Sequence, residues 1–392
     1  MNFDFSDELN QLRDEARRFL ADRCPPAVPR AILDGPEPYD RALWKAIAEM
    51  GWTGAAIPEE YGGVGLGRLA VCVLAEELGR AVAPVPFSSS VYLATEALML
   101  FGSEDQKQAY LPKLASGDLI GTFAMAERPG PADARKLGAS VSGGRLTAVK
   151  LAVPDGDIAD FAIVAVNGGT GPALYLVDLK AAGVTAETVT TIDPTRSHAK
   201  ITFANAAADP LPGSEGPDTV RKLLDYAAVP MAFEQVGGAE AAMDMANAYA
   251  KERYAFGRPI GSFQGIKHKI AEMYIQVQMA RSNAYYGAWA VHTEAAELPI
   301  AASVARISAT EAGWFVTKEN IQTHGGMGFT WQMDCHLYYR RAKLLGLSLG
   351  GAREWKLRLV AELRTRNTDL QAAWGDAGPQ VRQHASKVAV KP

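Results

Sequence analysis

The sequence has little that would mark a secreted, metal-binding or membrane-spanning protein. Only three cysteines occur among 392 residues, and the wide spacing of Cys24, Cys72 and Cys335 fits neither a disulfide framework nor a zinc motif. Apolar runs such as 69–75 stop well short of the roughly 20 residues that span a bilayer. The acidic start, 4–8, is unlike a signal peptide. We therefore expect no metal, no membrane contact and a reducing, cytoplasmic location.

Long runs of one charge sign are also missing. Lys and Arg number 40 against 44 for Asp and Glu, a net charge of -4, so the sequence shows no basic footprint for a phosphate backbone. Nucleic acid is thus not an expected partner. Hydrophobic residues make up 48% and charged residues 21% of the chain, which is enough apolar material for a sizeable core.

Helical and strand patterns follow one another in blocks. Ser6 is a candidate N-cap, and Ser103 with Gln106 has the spacing of a capping box. Short apolar runs separated by Gly, Asp and Pro then replace the helical periodicity, which returns for some thirty residues after 220. The order helices, strands, helices predicts an α+β fold that is mainly α and contains no alternating parallel sheet.

The same pattern predicts the domain boundaries. We expect a helical domain over 1–117, a β domain over 118–213, a helical bundle over 214–365 and a polar tail over 366–392. The glycine-rich segment 62–67 lacks both the lysine and the preceding strand of a phosphate loop, so it is interpreted as a structural turn.

Two segments have the residue types of an anion site. Residues 253–264 combine Arg253 with a Phe-Gly-X-Pro turn and the start of a new helix at Gln264. A guanidinium beside helix-terminal amides suits a diphosphate, because it pairs with phosphate oxygens in a planar fork. Residues 322–329 offer close backbone approach through three glycines. Each segment alone is better explained as an ordinary helix hairpin or loop.

Together, these segments closely resemble the acyl-CoA dehydrogenase family. The resemblance extends to the turn at 58–63, to the exit from the β domain at 203–212 and to the helix that holds Arg340, Arg341 and Lys343. It implies an amino-terminal helical domain, a middle β domain and a carboxy-terminal four-helix bundle, assembled as a homo- or hetero-oligomer with FAD at the subunit interface.

The family motif also implies roles for individual residues. Arg253, Phe256 and Gln264 should contact the diphosphate side of FAD, and Gln322, Gly325 and Gly326 of the neighbouring chain its ADP portion. The implied reaction removes a proton next to the thioester of an acyl-CoA and passes a hydride to the flavin. The implied electron acceptor is an electron-transfer flavoprotein.

The carboxylate base that this reaction needs is absent from its usual positions. Alignment on the motif at 340–343 places 348–351, Ser-Leu-Gly-Gly, where the family commonly has Tyr-Glu-Gly-Thr, and Leu349 cannot accept a proton. Some members carry the glutamate on the first bundle helix, where this chain has Ala227. Glu234 shares that helix face but lies about 10.5 Å further along the axis. It is a weak candidate base, and a structural role is the favoured interpretation.

The β domain departs from the family as well. Two hydroxyl residues of a family motif are missing from 126–133, and Leu151 stands where an aromatic residue usually faces the flavin. The diphosphate contacts are thus kept while the base and the ring contacts are lost. This combination resembles the partner subunit of heteromeric members, which completes the FAD site of a catalytic homologue, and similar pairs are associated with steroid or other bulky acyl groups.

Two alternatives stay open on the sequence. The chain could be a self-sufficient FAD-dependent dehydrogenase with Glu234 or another acid as base, or a related oxidase or monooxygenase. It could also be a flavin-free structural subunit that keeps only the fold.

Overall fold

The computed structural model describes residues 5–374. Its amino-terminal region consists of helices and turns, as predicted. The α-helices are Asp7–Arg23 (α1), Ala27–Asp34 (α2), Arg41–Glu49 (α3), Gly67–Arg80 (α4), Glu96–Phe101 (α5) and Glu104–Ala115 (α6). The Ser6 side chain accepts a hydrogen bond from the Leu9 amide, and Ser103 with Gln106 forms a reciprocal capping box. Both predicted helix starts are confirmed, whereas α2 was not foreseen.

A buried π-helix, Ser88–Thr95, precedes α5 and was not predicted either. All eight of its residues are buried, so the segment has no polar face and therefore no amphipathic pattern in the sequence. Insertions of this kind are rare in helices and are frequent beside functional sites. Here the π-helix contributes to the wall of a cavity described below.

The middle region is built from two small sheets. The strands are Gly121–Ala124 (β1), Val141–Ser142 (β2), Arg145–Pro154 (β3), Phe161–Asn167 (β4), Pro172–Asp178 (β5), Val184–Thr188 (β6), His198–Ala207 (β7) and Asp209–Pro210 (β8). Their order is β1-β4-β5-β8 in one sheet and β2-β3-β7-β6 in the other. Only β1 and β4 pair in parallel; the other described pairs in these two sheets are antiparallel. Strand β6 is short and mostly exposed, so its sequence has no apolar pattern and did not predict a strand.

Helices return in the last region. They are Thr219–Glu252 (α7), Gln264–His292 (α8), Leu298–His324 (α9), Cys335–Leu347 (α10) and Ala352–Trp374 (α11), with a hairpin of Tyr254–Ala255 (β9) and Arg258–Pro259 (β10) between α7 and α8. Helices α7, α8 and α9 pack on one another, and α10 and α11 pack against α9. The predicted fold class is confirmed.

Glycines let α4 and α7 approach closely. A Cβ on Gly79 would lie 1.9 Å from the Glu234 carbonyl oxygen, and one on Gly237 would lie 1.8 Å from the Glu76 carbonyl oxygen. No side chain fits in either place. The small residues of α7 therefore join the amino-terminal helices to the bundle in one continuous core.

The carboxy-terminal helix is longer than the sequence pattern indicated. Helix α11 continues to Trp374, through residues 366–374 of the expected tail. This segment lacks an apolar stripe, but its Arg, Leu and Ala residues are good helix formers. The rest of the expected tail, 375–392, lies outside the described residues. Within 5–374, no helix is both long and apolar enough to cross a membrane.

Candidate active site

A cavity of about 740 Å³ lies between the two sheets and the carboxy-terminal helices. This volume is typical of small-molecule sites. Strands β3 and β7, the π-helix, α7, α10 and the loop after α10 contribute to its wall. Most of the wall is apolar and includes Leu93, Phe123, Met125, Leu151, Val153, Leu224, Met231, Leu344 and Leu349. We call this space the interdomain cavity.

The loop 348–351, which aligns with the family's base, forms part of this wall. Leu349 has a left-handed backbone, with φ of 60°, and Gly350 follows with φ of 96°. A left-handed φ is unfavourable for leucine, so surrounding contacts must hold the loop in place. The wall presents an apolar side chain and two glycines at this point, and no carboxylate.

A buried arginine supplies such contacts. Arg306 on α9 is 0% exposed, and its Nη2 donates to the carbonyl oxygens of Leu345 and Ser348, the latter at 2.7 Å. Its Nη1 donates to Gln235 and to Thr310. Burial lowers the pKa of Arg306 to about 9. A cation at the carboxyl end of α10 satisfies carbonyls that the helix leaves unpaired and thereby fixes the loop.

Glu234 lies in the interior, outside the residues that line the cavity. Its Oε1 is 2.7 Å from Nη2 of Arg196 and 3.5 Å from Nη1 of Arg341. Arg341 also pairs with Asp193 at 2.7 Å. A carboxylate held between two guanidiniums is poorly placed to take a proton from a ligand. The geometry therefore favours the structural role of Glu234, and Ala227 is buried with no acid at its position.

Among the described residues, Asp155 and Glu354 are the carboxylates that line the cavity. Asp155 is 2% exposed and accepts a hydrogen bond of 2.5 Å from the Ser89 hydroxyl. Burial raises the pKa of the Asp155 carboxyl. Glu354 lies half-buried in the first turn of α11, with no hydrogen bond or ion pair to another described residue.

No sequence pattern predicted a role for these two acids, or for Arg196, His198 and Arg306. Asp155 and Arg196 are distant in sequence, and no motif connects them. The one available signal was the placement of Arg306 in a run of alanines on α9, at a position that helical periodicity assigns to the core.

Residues of the β region that differ from the family motif lie in the cavity wall. Ala132 and Leu151 line it and contribute only carbon atoms beyond the backbone. Glu127, in the same segment, accepts hydrogen bonds from the buried Lys150 at 2.7 Å and from the Gly138 amide at 2.7 Å. Glu127 is thus occupied within the protein, and the wall offers no hydroxyl at Ala132 and no aromatic ring at Leu151.

The predicted diphosphate residues lie elsewhere, at one end of the bundle. Arg253 follows the last residue of α7, Gln264 begins α8, and Phe256 at the tip of the hairpin is 96% exposed. Arg253 and Gln264 are exposed too. No carboxylate of residues 5–374 forms an ion pair with Arg253. Its guanidinium is therefore available to a group outside this chain.

The second motif ends at the same side of the bundle. Gln322, Gly325 and Gly326 are exposed at the carboxyl end of α9, and a Cβ on either glycine would meet nothing within 4 Å. Tyr249 near the end of α7 stacks on His324 near the end of α9, with ring centroids 4.1 Å apart. We call the surface formed by Arg253, Phe256, Gln264, Gln322, Gly325 and Gly326 the bundle end.

Comparison with known proteins identifies relatives along nearly the whole chain. Residues 6–118 match the model of the acyl-CoA dehydrogenase N-terminal domain, and residues 214–363 match that of the C-terminal domain. "Acyl-CoA dehydrogenase IpdE2" of Mycobacterium tuberculosis is 33% identical, over 91% of this chain and 98% of the relative.

Two solved structures have the same fold. A structure described as the Tcur3481–Tcur3483 steroid ACAD is 33% identical, with a TM-score of 0.85, and the match covers 92% of this chain and 99% of that one. The ChsE4–ChsE5 complex from Mycobacterium tuberculosis is 29% identical, with a TM-score of 0.85 over 93% and 99% of the two chains. Acyl-CoA dehydrogenases are FAD-binding flavoproteins, which confirms the expected cofactor for the family. The chain belongs to the acyl-CoA dehydrogenase family.

Proposed function

We propose that this chain is the partner subunit of a heteromeric acyl-CoA dehydrogenase, in which it completes the FAD site of a catalytic homologue. The observation that carries the proposal is the wall of the interdomain cavity at 348–351, where Leu349 stands at the position of the family's glutamate. The relatives known as complexes of two named proteins support a heteromeric assembly.

The bundle end fits the phosphate part of FAD. Arg253 has an exposed guanidinium without a carboxylate partner in residues 5–374, and Gly325 and Gly326 leave their backbone open to a ligand. These features suit a diphosphate, which is anionic and rich in hydrogen-bond acceptors. The ring side fits less well, because Ala132 and Leu151 offer no hydrogen bond. Arg253, Phe256 and Gln264 would hold the diphosphate, and Gln322, Gly325 and Gly326 the ADP portion across an interface.

In this assembly, the chain's own residues bind and orient, and the catalytic homologue supplies the base. FAD, when bound, supplies the hydride acceptor for oxidation of the acyl-CoA. The acyl group, with a steroid side chain as one candidate, would bind beside the base in the catalytic homologue, because the base must reach the proton next to the thioester. An electron-transfer flavoprotein would take the electrons from the reduced flavin.

The test compares the chain purified alone with the chain co-expressed with a homologous acyl-CoA dehydrogenase chain. Anaerobic visible spectra give the amount of bound flavin, and titration with acyl-CoA thioesters shows whether the flavin bleaches. We expect little flavin and no bleaching alone, and stoichiometric flavin with bleaching in the complex. Bleaching at an ordinary enzymatic rate by the chain alone would overturn the proposal. A complex without flavin would leave only the structural role.

A second function is favoured by one observation. Glu354 lies in the cavity wall without a partner among the described residues, a few residues after the altered loop. A self-sufficient dehydrogenase could use it as the base that Leu349 cannot be. If the isolated chain bleaches with an acyl-CoA, Glu354→Gln should abolish bleaching and Glu234→Gln should not do so without also unfolding the protein.

A further inference from the structure

The loop 325–334 connects α9 to α10 and contains the two glycines of the bundle end. Gly325 leaves α9 with φ of 59° and ψ of -137°, a backbone conformation that suits glycine and has little stiffness of its own. In the proposed function, Gly325 and Gly326 meet the ADP portion of FAD. Hydrogen bonds to a ligand need their donors placed to within about 0.5 Å. The loop therefore depends on contacts elsewhere to fix its position.

The amino end of this loop is held inside the bundle. His324, the last residue of α9, is 4% exposed, and its Nδ1 lies 2.9 Å from the Asn320 carbonyl oxygen. Its ring stacks on Tyr249 of α7. These contacts fix the residue directly before Gly325, where the chain turns away from the helix.

The carboxyl end of the loop is held by α2. Nη1 of Arg30 donates to the Trp331 carbonyl oxygen at 2.8 Å. Nε and Nη2 of Arg30 donate to Oδ1 of Asp334 at 3.2 Å and 2.6 Å. The indole Nε1 of Trp331 donates to Asp34 at 3.1 Å. Arg30 and Asp34 lie about one turn apart, so one face of a short helix binds this end of the loop.

The Asp334 carboxylate is directed to Arg30 and away from its usual task. Asp334 stands at the N-cap of α10, where an aspartate ordinarily accepts a hydrogen bond from the first amides of the helix. Within the described part of the chain it forms no such cap bond. The side chains of Arg30 and Asp334 are 23% and 32% exposed, and an ion pair of this exposure contributes modestly to folding. Its main consequence is the position of the loop.

Trp331 is also held from the side of α10. The guanidinium of Arg340 lies over the Trp331 ring, 4.9 Å from its centroid. Nη1 of Arg340 donates to the Ile192 carbonyl oxygen at 2.7 Å, which connects this contact to the middle region. Groups from α2, α10 and the middle region therefore converge on Trp331. The loop is fixed at this residue, and the glycines lie between Trp331 and the end of α9.

We propose that Arg30 is a positioning residue of the FAD site: through Trp331 and Asp334 it holds the loop 325–334 so that Gly325 and Gly326 are preorganised for the ADP portion of FAD. This inference rests on the proposed function, which places FAD at the bundle end. It adds to the site an amino-terminal helix, α2, that neither motif contains.

The experiment measures FAD binding to the complex of this chain with its homologous partner, by equilibrium titration after the bound flavin has been removed. Arg30→Ala should weaken FAD binding about tenfold, the contribution of one well-placed hydrogen bond. Turnover of an acyl-CoA at saturating FAD should stay unchanged, because Arg30 touches no ligand. Hydrogen exchange followed by mass spectrometry should become faster in 325–334 and stay unchanged in α7.

Conservative variants grade the effect. Arg30→Lys keeps the charge opposite Asp334 and loses the planar fork, so it should recover part of the FAD affinity. Asp334→Asn keeps the bond from Arg30 to Trp331 and should weaken FAD binding less than Arg30→Ala does. The matched control is Arg17→Ala, which removes another guanidinium that joins two helices, through its 2.7 Å bond to Glu77. It should leave FAD affinity unchanged even where it lowers stability.

Unchanged FAD affinity in Arg30→Ala would overturn the inference alone, provided that the unsubstituted complex is loaded with flavin. An equal loss of affinity in Arg17→Ala would overturn it too, because the effect would then come from general destabilisation. If Arg30→Ala does not fold, Arg30→Lys and Asp334→Asn carry the same test. An unsubstituted complex that binds no FAD would overturn the proposed function and, with it, this inference.

Discussion

The arginines around the interdomain cavity and the arginine at the bundle end differ in burial and in partners. Around the cavity, Arg196, Arg306 and Arg341 are at most 4% exposed and are bonded to groups of the same chain. At the bundle end, Arg253 is exposed and has no carboxylate partner in residues 5–374, and Phe256 is 96% exposed.

This difference separates structural charges from charges available for binding. A buried charge that loses its partner is strongly destabilising, because the low-dielectric interior offers no water to replace it. An exposed charge without a partner contributes little to folding, since water already solvates it. Substitutions near the cavity should therefore change the stability of the chain, and substitutions at the bundle end should change what it binds.

The largest effect is expected at Glu234. Glu234→Ala leaves Arg196 and Arg341 buried without their shared carboxylate and should lower the free energy of unfolding by about 3–5 kcal/mol. Urea denaturation followed by circular dichroism measures the change. Glu252→Ala, at the exposed end of the same helix, is the control and should alter stability by less than about 0.5 kcal/mol. A loss below about 1 kcal/mol at Glu234 would contradict the assignment of these charges to the fold.

A second buried pair gives stability a pH dependence. Burial raises the pKa of the Asp225 carboxyl to about 6 from a usual value of 3.8, against the attraction of Arg358. The folded chain then binds this proton more tightly than the unfolded chain, so the free energy of unfolding falls as pH rises from about 4 to about 6. The loss is at most about 3 kcal/mol.

Asp225→Asn removes this titration. Relative to the unsubstituted chain, the variant should gain stability between pH 4 and pH 7, as measured by urea denaturation at several pH values. Asp14→Asn, on the exposed face of α1, should leave the pH profile unchanged. Parallel profiles for Asp225→Asn and the unsubstituted chain would show that Arg358 fully compensates the buried carboxylate.

At the bundle end, the expected effect is on binding. Arg253→Ala should weaken FAD binding to the complex about tenfold, the usual contribution of a charge-assisted contact to phosphate. Arg253→Lys should recover part of the loss, because it keeps the charge and loses the planar fork. Equilibrium flavin titration measures both, with Arg18→Ala on α1 as control. An Arg253→Ala variant that binds FAD normally but unfolds at a lower urea concentration would show that Arg253 serves the fold and not binding.

The smallest effect on stability is expected at Phe256. Its backbone is left-handed, with φ of 53°, which glycine adopts without strain. Phe256→Gly relieves that strain and adds flexibility to the unfolded chain, so the free energy of unfolding should change by less than about 0.5 kcal/mol. Assembly with the homologous chain, measured by analytical ultracentrifugation, should weaken. Unchanged assembly would show that the exposed Phe256 side chain makes no contact with the homologous chain.

Local patterns account for most of the fold. Ser6 and the Ser103–Gln106 box marked helix starts because a cap needs only its own neighbours in sequence. The long periodic run after 220 identified α7 for the same reason. The segments that escaped prediction, α2, the π-helix and β6, are short or lack an apolar face of their own period.

Site residues within short motifs were predicted from the sequence, whereas those that meet through tertiary contacts were not. Residues 253–264 and 322–329 were identified because each is a short motif, and both proved to lie at one end of the bundle. The roles given to their residues remain predictions. Asp155, Arg196 and His198 escaped prediction because they meet through the pairing of β3 with β7 and the packing of the π-helix, which connect residues far apart in the chain.

The sequence by itself determined the order of the secondary structure, the family and the loss of a carboxylate at Leu349, since each depends on residue type at a known position. Only the tertiary structure decided that Glu234 is held between Arg196 and Arg341, that Arg306 supports the loop beside Leu349, and that one part of the cavity is polar. Burial and partners decide what a charged side chain does, and both come from contacts between distant parts of the chain.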